Sequence, residues 1–264
     1  MKKLLAVLLV SALLLPCMAA AEDIVPILPV CEKIGSAQLA DVQISDDHSE
    51  VYLAYAPASS SDMELYLSIC SLVGTYCKPT DASGMNYRLF VPGSAYGGMV
   101  LYDSEKKEMI VYSPAGPHFV SDEELDDLLS FANRDVKLPA NASGSVFPQF
   151  YACVNRSPYN QGTVEGSTSI FSGKKCWTEY YDGMTNDSIL LYTKLMYLFG
   201  FDMRADAILG SMEEGVTTCV LHYSNGDAEV IVIYTPAQGA ASVSYKPGVS
   251  MTLLSAGELN EALR

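Results

Sequence analysis

The sequence predicts an α+β fold built from an internally duplicated module. Each half is expected to be an antiparallel sheet packed on one core helix, plus a short terminal helix. Three self-matches in the same order carry this expectation. Ser61 to Cys77 (SDMELYLSICSLVGTYC) matches Asp187 to Met203 (DSILLYTKLMYLFGFDM) at an offset of 126 residues. Apolar positions recur there at three- and four-residue steps, the period of one buried helix face. Glu108 to Gly116 (EMIVYSPAG) resembles Glu229 to Gly239 (EVIVIYTPAQG), with Tyr112 over Tyr234 and Pro114 over Pro236, an offset of 122. SDEELDDLL from Ser121 parallels SAGELNEAL from Ser255 at an offset of 134. Both open on Ser-x-x-Glu, a capping box in which the two side chains satisfy exposed N–H groups at a helix start. Strands and helices are segregated rather than alternating, which favours α+β over a doubly wound parallel sheet.

In chain order, residues 1–21 read as a signal peptide. Lys2 and Lys3 precede the apolar run Leu4 to Leu15, and Ala19-Ala20-Ala21 supplies the small-residue cleavage site. Cys17 is a poor lipid-anchor cysteine because Pro16 precedes it. Residues 22–138 then form the first repeat, 139–146 (PANASGSV) a linker rich in turn-forming residues, and 147–264 the second repeat. In the first repeat, Glu22 to Ile34 is apolar and proline-punctuated, fitting a strand or edge segment. Gln38 to Asp47 alternates, and Glu50 to Ala56 is rich in β-formers. The core helix follows, with Ser61 as N-cap and Glu64 three residues on; its mate uses Asp187 as cap. Strands are expected at Tyr87 to Val91, Gly98 to Tyr102 and Glu108 to Tyr112, the last two forming a hairpin. The second copy repeats that hairpin as Thr217 to Tyr223 and Glu229 to Tyr234, across Asn225-Gly226, a pair that tolerates the positive φ of a tight turn.

The formal charge of −15 becomes −17 once Lys2 and Lys3 leave with the leader. Such a balance repels phosphate backbones and anionic lipid surfaces, which excludes nucleic acid as a partner class. No stretch after the leader is long enough for stable membrane insertion. The localisation read from this is secreted or periplasmic. Six cysteines remain in the mature chain: Cys31, Cys70, Cys77, Cys153, Cys176 and Cys219. An even count in an exported chain reads as a disulfide framework. On one continuous helix, Cys70 and Cys77 would lie two turns apart, roughly 10 Å, beyond the ~7 Å a disulfide spans. They pair only if Gly74 breaks the helix. Otherwise Cys31 takes one of them, Cys153 and Cys176 close a local loop, and Cys219 takes the remaining helix cysteine.

Catalytic patterns are sparse. The histidines are His48, His118 and His222, with neither H-E-x-x-H nor C-x-x-C zinc spacing, so no metal or cofactor is expected. Gly93-Ser94-Ala95-Tyr96-Gly97 places its serine one position too early for a nucleophile elbow. Cys219–His222 and Cys153–His118 are the conceivable thiol dyads. Glu165, Glu179, Asp182 and Asp187 are the carboxylates nearest the aromatic stretch, and the acidic run from Asp122 to Asp127 fits a helix N-terminus.

The most distinctive surface candidate is Cys176 to Asp187 (CWTEYYDGMTND), read as a loop leading into the second core helix. It holds the single tryptophan, and Trp177, Tyr180, Tyr181 and Asp182 are the candidate ligand-binding residues. The reading is an exported, acidic, disulfide-bonded, non-enzymatic binding protein for an extracellular protein or carbohydrate. The alternative is a secreted hydrolase with an acidic or Cys–His site between the repeats.

Overall fold

The structure, a computed structural model, describes residues 28–47, 49–90, 97–114, 117–165, 171–209 and 218–264. The expected signal peptide lies outside them. Helices and antiparallel sheets are both present, so the fold is mixed α+β.

The first half runs β1 (Leu28–Val30), β2 (Lys33–Ile34), β3 (Ala37–Ile44), β4 (Val51–Tyr55), α1 (Ser60–Leu72), β5 (Tyr76–Pro79), β6 (Asn86–Phe90), β7 (Gly97–Asp103), β8 (Glu108–Ser113), β9 (Pro117–Phe119) and α2 (Asp122–Ala132). Seven strands form one sheet in the order β2-β3-β4-β8-β7-β6-β5, and every neighbouring pair is antiparallel. The chain leaves β4, crosses the sheet as α1 and re-enters at the far edge as β5. The meander β5 to β8 then fills the gap. Strand alternation buries Leu53, Tyr55, Val100, Met109 and Val111 against Met63, Tyr66, Ile69 and Cys70 of α1. Outside that sheet, β1 and β9 pair in parallel.

Helix α1 is shorter than expected and shifted. Its N-cap is Ser59, not Ser61, and the capping partner is Asp62 rather than Glu64. Leu72 is its last residue, and the expected helix to Cys77 is broken at Gly74, whose φ is +88°. That left-handed conformation suits glycine and reverses the chain. The Thr75 N–H then donates to the Cys70 carbonyl at 2.8 Å, and β5 starts one residue later. Cys77 therefore sits on a strand and not on the helix.

The second half runs β10 (Ser145–Pro148), α3 (Phe150–Val154), β11 (Asn160–Glu165), β12 (Lys175–Tyr181), α4 (Asn186–Leu198), β13 (Asp202–Leu209), β14 (Thr218–Ser224), β15 (Glu229–Thr235), β16 (Ala240–Tyr245), β17 (Met251–Leu254) and α5 (Ala256–Ala262). Its sheet is also fully antiparallel, in the order β11-β12-β16-β15-β14-β13. Here too a parallel pair, β10 with β17, lies outside it. Ser145 and Val146, expected in the linker, open the buried strand β10. Thr185, not Asp187, caps α4. Ser121 and Ser255 cap α2 and α5 as expected. The Asn225-Gly226 turn forms between β14 and β15: Asn225 Oδ1 accepts from the N–H groups of Asp227 and Ala228, and Gly226 has φ +92°.

The halves meet through β5 against β13 and α1 against α4. Tyr76, the first residue of β5, is buried in the core of the other half beside Tyr192, Cys219 and Tyr223. No helix among the described residues is long and apolar enough to cross a membrane.

Candidate functional site

Cys176 to Tyr181, expected in a loop, lies within strand β12, second from the sheet edge. Alternating Cys-Trp-Thr-Glu-Tyr-Tyr favours a pleated strand, and a strand sends successive side chains to opposite faces. The four residues expected to share a site are thereby divided. Trp177 and Tyr181 share the helix-side face with Glu179, whereas Tyr180 faces the other way. Trp177 is 44% exposed and Tyr181 is fully buried. Tyr180 is half-buried, its ring 6.4 Å from that of Tyr159, which is 66% exposed. Asp182, just past the strand, is exposed and sits 3.5 Å from the Arg156 guanidinium. Arg156 also donates to the Asp182 carbonyl at 2.8 Å.

In the sequence Glu179 is one of several acids near the aromatic stretch, yet it is the most constrained group on β12. It is 1% exposed and accepts from four donors. Tyr181 and Tyr245 hydroxyls donate to Oε2 at 2.6 and 3.1 Å, while Gln149 Nε2 and Trp177 Nε1 donate to Oε1 at 3.2 and 3.4 Å. Four donors match the four lone-pair sites of a carboxylate. Tyr245 is brought there by register, since it lies opposite Trp177 on β16. Gln149 arrives from the N-cap of α3. None of the four donors is charged, so hydrogen bonds alone offset the cost of burying this carboxylate. Burial first, and then the Glu179 hydrogen bond, push the Tyr181 phenol upward; burial likewise raises Tyr245. Both hydroxyls therefore stay protonated and donating. Nearby, the buried Tyr192 hydroxyl has no hydrogen-bond partner among the described residues.

This geometry weighs against the hydrolytic alternatives. Glu179 is shielded from solvent and its acceptor positions are taken. Asp182 is paired with Arg156, and Asp187 sits exposed in the first turn of α4. Cys219 and His222 are three residues apart on β14, so they project from opposite faces of the sheet. His222 instead lies 2.9 Å from Glu229, which also binds Lys246. Cys153 donates to the Gln149 carbonyl at 3.5 Å. Burial pushes Cys31 and Cys219 up to about 12 and raises Cys153 as well. Such groups are thiols rather than nucleophilic thiolates. His48, the side chains of His118 and Glu165, and the Val91–Tyr96 stretch lie outside the described residues. Among the described residues no group of histidine, cysteine and acidic side chains is arranged to hold a metal. The six cysteines are free thiols in the structure.

One edge of the second sheet is open. Strand β11 pairs with β12 over six residues in unbroken register, and its outer side meets no further strand among the described residues. Asn160, Gln161 and Thr163 are exposed. The Tyr159–Tyr180 pair flanks this edge, Trp177 stands on the helix-side face, and Lys174 and Lys175 lie exposed at one end. The outer strand of the first sheet is treated differently. Strand β3 is covered at its start by β2, and its register on β4 shifts between Leu39 and Asp41. No protein-family model matches the chain, and searches of curated proteins and of solved structures find no match either.

Proposed function

We propose that this is an exported, non-enzymatic binding protein that takes a partner polypeptide in extended conformation along β11. The observation that carries the reading is the uncovered, regular edge of β11. Such an edge presents unpaired backbone donors and acceptors, which proteins ordinarily blunt with bulges, covering strands or charges. The β3 edge has a covering strand and a register shift; among the described residues the β11 edge has neither. An added strand would place alternate side chains towards Trp177 on one face and the Tyr159–Tyr180 pair on the other, the arrangement strand addition uses for specificity. Lys174 and Lys175 lie exposed at one end of this edge in a chain of net charge −15, which favours an acidic segment.

The test is an array of extended decapeptides graded in charge, with a glycan array run in parallel. Acidic peptides are expected to bind, and Thr163→Pro or Trp177→Ala should weaken binding at least tenfold without lowering Tm by more than a few degrees. Glycan binding that depends on Trp177, with no peptide binding, would overturn the peptide reading in favour of a carbohydrate partner. Turnover of either probe would point back to a hydrolase.

We also propose that the two halves are copies of one duplicated module. Support comes from the strand orders: β3-β4-β8-β7-β6-β5 and β11-β12-β16-β15-β14-β13 correspond term by term, with α1 and α4 in the same connection. Local details agree. Gly74 and Gly200, 126 residues apart, both have positive φ, as do Lys107 and Gly239, 132 apart. The Ala58 N–H donates to the Lys107 carbonyl at 2.7 Å, and the Met184 N–H to the Gly239 carbonyl at 2.7 Å. On this reading the second self-match shifts by one strand: β8 answers to β16, and β7 to β15. Excising either half and finding it folded with its own sheet intact would support a module; a half that regains structure only on mixing with its mate would support a module that has become dependent on pairing.

A further inference from the structure

We propose that Cys70 and Cys77 form a disulfide that locks the turn delivering Tyr76 into the second half. The break at Gly74 is what makes this bond possible. Strand β5 doubles back beside the end of α1, and the Cys77 thiol comes to 3.8 Å from the Leu67 carbonyl, one helical turn before Cys70. Burial, and after it the neighbouring Cys77, raise the Cys70 thiol. Both are buried in one core together with Cys31. Under the 126-residue correspondence, Cys70 and Cys77 answer to Met196 and Met203, which are both buried in the second core. Both positions thus hold cysteine in one half and methionine in the other, as a matched pair.

The bond forms by thiol–disulfide exchange with a disulfide oxidant, either a small one such as oxidised glutathione or that of an oxidoreductase. The thiolate of one cysteine attacks the oxidant, forming a mixed disulfide and releasing one thiol. The second cysteine then attacks the protein sulfur of that mixed disulfide and releases the other. Two protein thiols are oxidised and one external disulfide is reduced to two thiols. Burial raises the Cys70 thiol far above its ordinary range, so the packed protein is inert to exchange. The bond is made while the turn is still open during folding. Between the two sulfurs lie Leu72, Gly74 and Tyr76, so closing the loop fixes the direction from which Tyr76 enters the other core. The export reading matters here only as a source of oxidant, and the following test supplies its own.

The reduced chain is refolded in a defined glutathione buffer, alkylated, and digested with chymotrypsin, which cuts at Tyr76 inside the loop. The expected product is two peptides joined through Cys70 and Cys77. The oxidised protein should also have a higher urea midpoint than the reduced one, and that difference should disappear in the Cys70→Met/Cys77→Met variant, which carries the second half's residues. Cys31→Ala should leave the link in place. A Cys31–Cys70 link, or alkylated Cys70 and Cys77 after refolding in excess oxidised glutathione, would overturn the proposal. Failure of peptide binding at β11 would leave it untouched, because the two readings have separate readouts.

Discussion

Tyr76 of the first half is buried in the second half's core, where burial raises its phenol and Thr193 of the second half partly offsets the rise. The Thr193 hydroxyl meets the Tyr223 hydroxyl at 2.7 Å and donates to the Ile189 carbonyl at 2.9 Å. In the opposite direction, burial raises the Tyr197 phenol of α4, and Ser71 and Ser68 of α1 partly offset that rise. Each half therefore completes the other's interior. Tyr76→Ala is expected to lower unfolding stability by about 3–5 kcal/mol, as for other buried aromatics. Tyr76→Phe removes only the hydroxyl and should cost about 1 kcal/mol. Urea unfolding of the wild-type chain should show one transition by both circular dichroism and Trp177 fluorescence. Two separated transitions, or a Tyr76→Ala cost below about 0.5 kcal/mol (about half the effect of one buried hydrogen bond), would mean the joint lies elsewhere.

Two glycines separate backbone strain from steric crowding. A Cβ at Gly74 would meet nothing nearer than Leu190 side-chain atoms at 3.9 Å. Gly74→Ala thus isolates the cost of a left-handed backbone, about 1–2 kcal/mol. At Gly98 in β7 the φ is ordinary, but a Cβ would lie 2.5 Å from the Tyr112 carbonyl oxygen of β8. That neighbour is backbone and can yield only by shifting the strand. Gly98→Ala should cost about 1–3 kcal/mol and accelerate amide exchange in β8, which Gly74→Ala should not do.

Much of this architecture was legible because it rests on local signals. The capping serines at Ser121 and Ser255, the Asn225-Gly226 turn and the alternation in Glu108 to Tyr112 each declare themselves within a few residues. The failures arise where distant contacts decide. Residues 73–77 continue an apolar helical period, and only the positive φ of Gly74, together with the pairing of Cys77 opposite Leu89, turns them into a strand. Under the proposed duplication the second self-match falls one strand out of step, because adjacent β-strands of one sheet share the same alternating apolar pattern and sequence alone does not fix which neighbour is the counterpart. Glu179 stood out least of all. Its donors Gln149 and Tyr245 lie 30 and 66 residues away, and no local pattern announces a carboxylate that the fold surrounds from three directions.

Asp62 links the start of α1 to the β2–β3 turn, and this predicts an acid-sensitive step. Its carboxylate accepts from Ser59 N–H and Oγ at 2.8 and 2.6 Å, and from Ser36 N–H and Oγ at 2.7 and 2.9 Å. Burial alone would raise its pKa, but these hydrogen bonds outweigh burial and hold it at about 2. A carboxyl depressed in the folded state stabilises above its unfolded value and loses that contribution as pH falls towards its folded value. Stability should therefore drop between about pH 4 and pH 2. Asp62→Asn should cost about 1–3 kcal/mol at pH 7 and flatten that part of the profile. An unchanged acid limb in the variant would assign the loss to other carboxyls.

Glu179 and Trp177 offer the most direct check on the candidate site, because the sole tryptophan donates to the buried carboxylate. Glu179→Gln preserves size but replaces one acceptor oxygen with an N–H₂ donor, which must then face groups already donating. At least one of Tyr181, Tyr245, Gln149 and Trp177 loses its acceptor. The expected cost is about 2–3 kcal/mol, the range for hydrogen bonds to a charged group. Tyr245→Phe removes a single donor and should cost about 1 kcal/mol. The indole N–H is part of the network, so the Trp177 emission maximum should shift in Glu179→Gln, whereas in Tyr180→Phe, on the opposite face of the strand, it should not. If Trp177 emission and stability both stay at wild-type values in Glu179→Gln, the carboxylate does not organise this face. If stability falls while peptide binding at β11 keeps its affinity, the network supports the sheet without shaping the edge that the partner meets.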